Sequence, residues 1–209
     1  MICCFGGTFD PIHIGHLEGA VRVSRALDVD VRLVLSARPS HRAQPAADIE
    51  QRLAMLDIAS APYPRLIPDA REARRATLSY TVDTLEALRA EHPDTPLGWV
   101  IGRDTLLTLS TWHRWRRVLE LTHLVVLDRV GYDRPLNPEL QQALAGAFCS
   151  TIPDRAAGAV IEIPGTLPEV SATEVRRRLG AGEPVAHLLP TGVFSYIETH
   201  NLYGEPCEA

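Results

Sequence analysis

The chain has 209 residues, of which 45% are hydrophobic and 22% charged, and its formal net charge is −5. That is enough chain for one α/β domain with a full core, and no uninterrupted apolar run approaches the ~20 residues needed to cross a bilayer. The acidic balance argues against a general nucleic-acid binder, which needs a basic surface against the phosphate backbone.

The opening Met-Ile-Cys-Cys-Phe has neither a basic leader nor the apolar stretch of a signal peptide, so a cytosolic location is expected. Residues 2–5 predict the first strand, with Cys3 and Cys4 as small strand residues. Those two, Cys149 and Cys207 form no CxxC pair and no spaced zinc framework, so all four read as reduced thiols. Leu17, Ala20 and Val21 then share a helix face, and residues 29–35 predict a second strand. A Pro-bearing loop over 37–47 leads to a helix with Ile49, Leu53, Leu56 and Ala59 on one face, followed by a short strand near 65–68. Val82, Leu85 and Leu88 mark the next helix, and strands are predicted at 97–101, 123–127 and 160–163, with a loop over 131–138. Two short helices near 173–179 and 192–200 close the chain.

Strands alternating with helices predict an α/β fold, a doubly wound Rossmann-like parallel sheet with helices on both faces. We expect one domain over 1–209, with 1–164 as the Rossmann-like core and 165–209 as a small helical extension. No internal repeat or low-complexity tract interrupts it.

The strongest local feature is GGTFDPIHIGH, residues 6–16, at the junction from the first strand to the first helix. In a doubly wound sheet, ligands bind at that edge, outside the carboxyl ends of the strands. Gly6 and Gly7 are expected to let the backbone turn sharply and bring N–H groups against phosphate oxygens, with the helix N-terminus adding favourable partial charge. Pro11 stiffens the loop, and Gly15 leaves bare helix backbone for a base or ribose. His13 and His16 are three apart, which aims both imidazoles at one spot if the helix begins near Ile14. There they could donate to the non-bridging oxygens of a phosphoryl transition state. A zinc site of His13, His16 and Asp10 is the rival, although such sites normally collect three or four ligands at recognisable spacing.

Elsewhere, Ser171 and Glu174 form an S-x-x-E capping box that opens a helix able to take an anion, or that serves as a plain cap. The runs Arg176-Arg177-Arg178 and Arg114, Arg116, Arg117 fit solvated helix faces or a small polyphosphate site.

His13-Ile14-Gly15-His16 resembles the (H/T)xGH motif of a nucleotidyltransferase superfamily. The chain is further similar to the bacterial nicotinate mononucleotide adenylyltransferases. The shared segments are GGTFDPIHIGHL from Gly6, PSHR from Pro39, SYT from Ser79, IGRD from Ile101, TW from Thr111, RVGY from Arg129 and VSATEVR from Val170. The resemblance implies transfer of AMP from ATP to nicotinate mononucleotide in NAD biosynthesis, with magnesium carried on the ATP phosphates. It implies ATP contacts at Gly6, Gly7, Thr8, Phe9, His13, Gly15, His16, Gly102, Asp104, Ser171, Thr173 and Arg176, with His13, His16 and Arg176 catalytic. It also implies mononucleotide contacts at His41, Arg42, Tyr80, Thr81, Trp112, His113 and Arg129, where Trp112 stacks on the pyridine ring and the Thr81 and His113 amides meet its carboxylate. Read alone, His41, Arg42 and Arg129 also fit an ordinary charged surface.

No Ser/His/Asp or Cys/His constellation accompanies the loop, so direct in-line displacement is expected. The alternatives are an adenylyltransferase acting on phosphopantetheine or nicotinamide mononucleotide, and a dinucleotide sensor without catalysis. Neither a nucleic-acid nor a membrane partner is expected, and self-association into a homo-oligomer is left open.

Overall fold

The computed structural model describes residues 1–39, 44–128 and 134–204. Seven strands form one parallel sheet: β1 (Ile2–Gly7), β2 (Val31–Leu35), β3 (Leu66–Asp69), β4 (Leu97–Gly102), β5 (His123–Leu127), β6 (Phe148–Cys149) and β7 (Val160–Ile163). Their order is β3-β2-β1-β4-β5-β7-β6. The winding runs outward from β1 on one side and from β4 on the other, so the topological switch point lies between them. Among the described residues, eight α-helices connect or follow the strands: α1 (Ile14–Leu27), α2 (Ile49–Ser60), α3 (Thr81–Glu91), α4 (Arg103–Leu107), α5 (Trp115–Leu121), α6 (Pro138–Ala143), α7 (Ala172–Gly180) and α8 (Thr191–Thr199). No helix among the described residues is long and apolar enough to cross a membrane.

Successive strand side chains alternate between faces, so neighbours on one strand serve different cores. Cys3 packs with Leu33, Leu35 and the buried faces of α1, α2 and α8, while Cys4 packs with Trp99 and the faces of α3 and α5. The thiols of Cys3, Cys4 and Cys149 are free, and burial pushes that of Cys4 up to about 12. Cys207 lies outside the described residues. Burial of both sheet faces explains why β1, β2, β4 and β5 read as continuous apolar runs.

Some boundaries differ from the sequence expectation. β2 begins at Val31 rather than at 29 because α1 ends on Asp28 in the left-handed conformation, φ 52°. The Ser24 hydroxyl then donates to the Val29 carbonyl (2.7 Å) and holds that residue in the turn. β6 is two residues long, too short for any periodicity to announce it.

Candidate active site

The first strand does not end before the glycines: β1 carries Gly6 and Gly7 as its last residues. The residue that turns the chain there is Phe9, at φ 48°, so the expected turn role of the glycines is corrected. The absent side chain at Gly6 is needed for packing, since a Cβ would lie 2.5 Å from Cζ2 of Trp99, which stacks in from β4. The Phe9 ring is buried, so its backbone is the part left to meet a ligand.

His13 is the N-cap of α1 and the helix begins at Ile14, as the His13/His16 reading requires. The two rings stack with centroids 3.7 Å apart and planes inclined by 23°. Nδ1 of His16 accepts the His13 backbone N–H at 3.3 Å, which in a neutral ring leaves Nε2 as the protonated, donating nitrogen. Phe9 and Phe5 meet the His16 ring edge to face, at 5.1 and 6.1 Å, and fix its plane.

A Cβ on Gly15 would lie 2.9 Å from Cγ1 of Val170, so the VSATEVR segment seats directly on the start of α1. Ser171 caps α7, its hydroxyl accepting the Glu174 N–H at 3.2 Å. Only this half of the expected capping box forms. The Glu174 carboxylate turns instead to Arg177 and Arg178, whose guanidinium groups hold it down to about 2. Arg177 also pairs with Glu183. Arg176 instead crosses to the glycine loop, where Nη1 donates to the Asp10 carbonyl at 2.6 Å, and its Nη2 faces Thr173 Oγ1 at 3.5 Å. The triple-arginine run thus divides into one residue at the loop and two in surface ion pairs. Arg114, Arg116 and Arg117 pair with Glu86, Glu139 and Glu120, so that cluster is a charged helix face.

Two residues hold the loop: Arg52, which no local pattern announced, and Asp10, which the sequence offered only as a zinc ligand. Arg52 is 1% exposed, and its guanidinium donates to the carbonyls of Thr8, Ser36, Ala37, Ala47 and Asp48. Asp10 is buried; its carboxylate accepts the N–H groups of Ala46 (2.9 Å) and Ala47 (3.1 Å) and the Tyr203 hydroxyl (2.8 Å). Those donors hold its carboxylate towards residues 46–47 and the C-terminal turn. Among the described residues no cluster of three or more His, Cys, Asp or Glu could hold a metal ion.

Among the described residues, the SYT segment meets both Pro39 and the TW segment. Pro39 forms a parallel bridge with Ser79; the Ser79 N–H donates to the Arg38 carbonyl (2.8 Å) and the Arg38 N–H to Ser79 Oγ (3.1 Å). Tyr80 caps α3, which makes Thr81 its first residue, with an N–H of the kind that helix geometry leaves unpaired. The Tyr80 ring lies 4.5 Å from that of His113, which joins SYT to the TW segment, and Trp112 is half-buried against the second core. Below them, buried Glu72 accepts the Thr84 hydroxyl at 2.6 Å, and burial raises its carboxyl above the ordinary range. At the switch point Gly102 ends β4 and caps α4, putting Asp104 in the first turn of that helix. His41, Arg42 and Arg129 lie outside the described residues.

The cytidylyltransferase-like family model matches residues 4–178. A protein of Aeromonas salmonicida named "Probable nicotinate-nucleotide adenylyltransferase" is 44% identical over 202 residues, covering 95% of this chain and 94% of that protein. One of the same name from Pseudomonas aeruginosa is 43% identical over 209 residues, covering 97% and 96%. Among solved structures, the Plasmodium falciparum nicotinic acid mononucleotide adenylyltransferase complexed with NaAD superposes with a TM-score of 0.75, at 18% identity, over 97% of this chain and 96% of that one. That likeness extends the fold agreement to the full sheet, while kinship rests on the sequence matches. By those matches the chain belongs to the cytidylyltransferase-like family, in the branch of the nicotinate-nucleotide adenylyltransferases.

Proposed function

We propose that this enzyme transfers the AMP part of ATP to the 5′-phosphate of nicotinate mononucleotide, giving nicotinate adenine dinucleotide and pyrophosphate. The observation that carries it is the stacked His13–His16 pair at the head of α1, with Arg176 reaching the same loop from α7. Imidazole N–H, guanidinium and helix-start amides in one place form a site for a polyanion.

In this reading an oxygen of the mononucleotide phosphate attacks the α-phosphorus of ATP. The new P–O bond forms as the α–β bridging bond breaks, and pyrophosphate leaves with that bond's electron pair. The attacking phosphate is already largely ionised near neutral pH, so positioning and charge stabilisation suffice without a strong general base. His13 and His16 donate to the α-phosphate oxygens as charge builds, and Arg176 meets the leaving pyrophosphate. Gly6, Gly7, Thr8 and Phe9 border the phosphates, Gly15 is assigned to the base or ribose, Gly102 and Asp104 face the ribose, and Ser171 and Thr173 complete the phosphate side. Tyr80, Thr81, Trp112 and His113 take the pyridine ring, while His41, Arg42 and Arg129 are assigned to its phosphate. The donors beside the loop are N–H groups that suit phosphate oxygens rather than a cation. That fits magnesium held by the ATP phosphates and water, where it neutralises charge on the triphosphate. The same reading keeps the expectation of a cytosolic enzyme.

The test is to incubate the purified protein with ATP, magnesium and either nicotinate or nicotinamide mononucleotide and identify the product. Nicotinate adenine dinucleotide with equimolar pyrophosphate, formed faster from the acid than from the amide, is expected. No dinucleotide from either mononucleotide would contradict the reading, and faster use of the amide would reassign the substrate.

A further inference from the structure

Asp10 belongs to the glycine loop and is the residue through which Arg176 reaches it from α7. Its carboxylate is 4% exposed, and a carboxylate that leaves water must have its oxygens matched by donors. The Ala46 N–H serves Oδ2; the Ala47 N–H and the Tyr203 hydroxyl serve Oδ1. Arg176 Nη1 lies 3.6 Å from Oδ2 while it donates to the backbone carbonyl of the same residue at 2.6 Å. The ion pair is therefore loose, and the guanidinium is anchored mainly through one nitrogen to the main chain. A direct, two-pronged Arg–carboxylate pair is the stronger arrangement open to these two groups. It would claim the N–H groups that a triphosphate needs.

We infer that Tyr203, in the last described turn of the chain, is a positioning residue for the transfer: its hydroxyl occupies Asp10 and so keeps Arg176 available to the triphosphate. This role rests on the adenylyl-transfer reading above. Tyr203 is 193 residues from Asp10 in sequence, yet its ring packs on the first core while its hydroxyl reaches the loop carboxylate. The C-terminal segment thereby contributes to a site built by the two ends of the chain.

The test compares Tyr203→Phe, Arg176→Ala and the double variant in dinucleotide formation from ATP, magnesium and nicotinate mononucleotide, with the Tm of each. Phe keeps the ring and removes only the hydroxyl. Tyr203→Phe is expected to lower kcat by roughly fivefold or more, with the mononucleotide KM within about twofold of wild type. In the Arg176→Ala background the same change should cost nothing further, because there is no guanidinium left to release. A purely structural hydroxyl would lower Tm and slow both backgrounds alike. An active wild type with Tyr203→Phe at the same kcat, or an equal loss in both backgrounds, would overturn the role alone. A wild type that forms no dinucleotide would overturn the reaction and the role together.

Discussion

The imidazole rings of His13 and His16 lie face to face, 3.7 Å between centroids, with the backbone N–H of one held by the ring of the other. In the proposed reaction they act as a unit, because the rings stack and the His13 N–H orients the His16 ring. Side chains that act together lose less on double removal than the product of their separate losses. We therefore expect His13→Ala and His16→Ala each to slow turnover strongly, and the double variant to be only slightly slower than the worse single one. Losses that multiply would show two independent donors.

Trp112 follows the short turn before α5 and stays half-exposed beside the Tyr80–His113 ring pair. Stacking of a base on an aromatic ring contributes roughly 1–3 kcal/mol. Trp112→Ala should raise the mononucleotide KM about tenfold and leave the ATP KM little changed. Equal losses for both substrates in steady-state kinetics would reject a stacking role.

Arg52 ties the glycine loop, the turn after β2 and the start of α2 through five carbonyl acceptors. Its replacement by Met fills much of the space and leaves those carbonyls without their donor. With hydrogen bonds to a charged group contributing about 1.5–3 kcal/mol each and adding imperfectly, a loss of about 3 kcal/mol or more is expected. In a domain of this size that lowers Tm by roughly 6–12 °C. Thermal unfolding of Arg52→Met within a degree or two of wild type would contradict this.

His123 is fully buried, with Nε2 on the Arg155 carbonyl (2.9 Å) and Nδ1 accepting the Ala159 N–H (3.1 Å). The second contact suits only the neutral ring, because a protonated imidazole has no acceptor nitrogen. Burial first, and the nearby charges of Arg155 and Arg89, lower its pKa in the fold, while the Arg155 carbonyl opposes them. The unfolded chain takes up a proton near its ordinary value of about 6.5, where the folded chain resists it. Stability from this site is therefore complete above about pH 6.5 and falls as pH drops from there towards the lowered folded value. Urea midpoints between about pH 8 and pH 5 should fall less for His123→Gln than for wild type. Parallel profiles would reject the assignment.

What the sequence made legible was local. His13 and His16 are one helical turn apart at a helix start, so spacing alone predicted their meeting, and β4 and β5 were plain as buried apolar runs. Long-range contacts were not legible in the same way: Arg52 meets Thr8 across 44 residues, and Arg176 meets Asp10 across 166. Gly6 was misread because a glycine needed for the Trp99 ring looks identical in sequence to one needed for a turn. Glu174 was half misread because two arginines one turn later compete for its carboxylate with the cap.

The central claim is that the His13–His16 pair stabilises charge at the α-phosphate. The most direct measurement is kcat of His16→Ala at saturating ATP and mononucleotide, with circular dichroism to follow the fold. The account predicts a drop of about a hundredfold or more in a folded protein, the scale of losing one oriented oxyanion donor. A folded His16→Ala enzyme that turns over near the wild-type rate would contradict it.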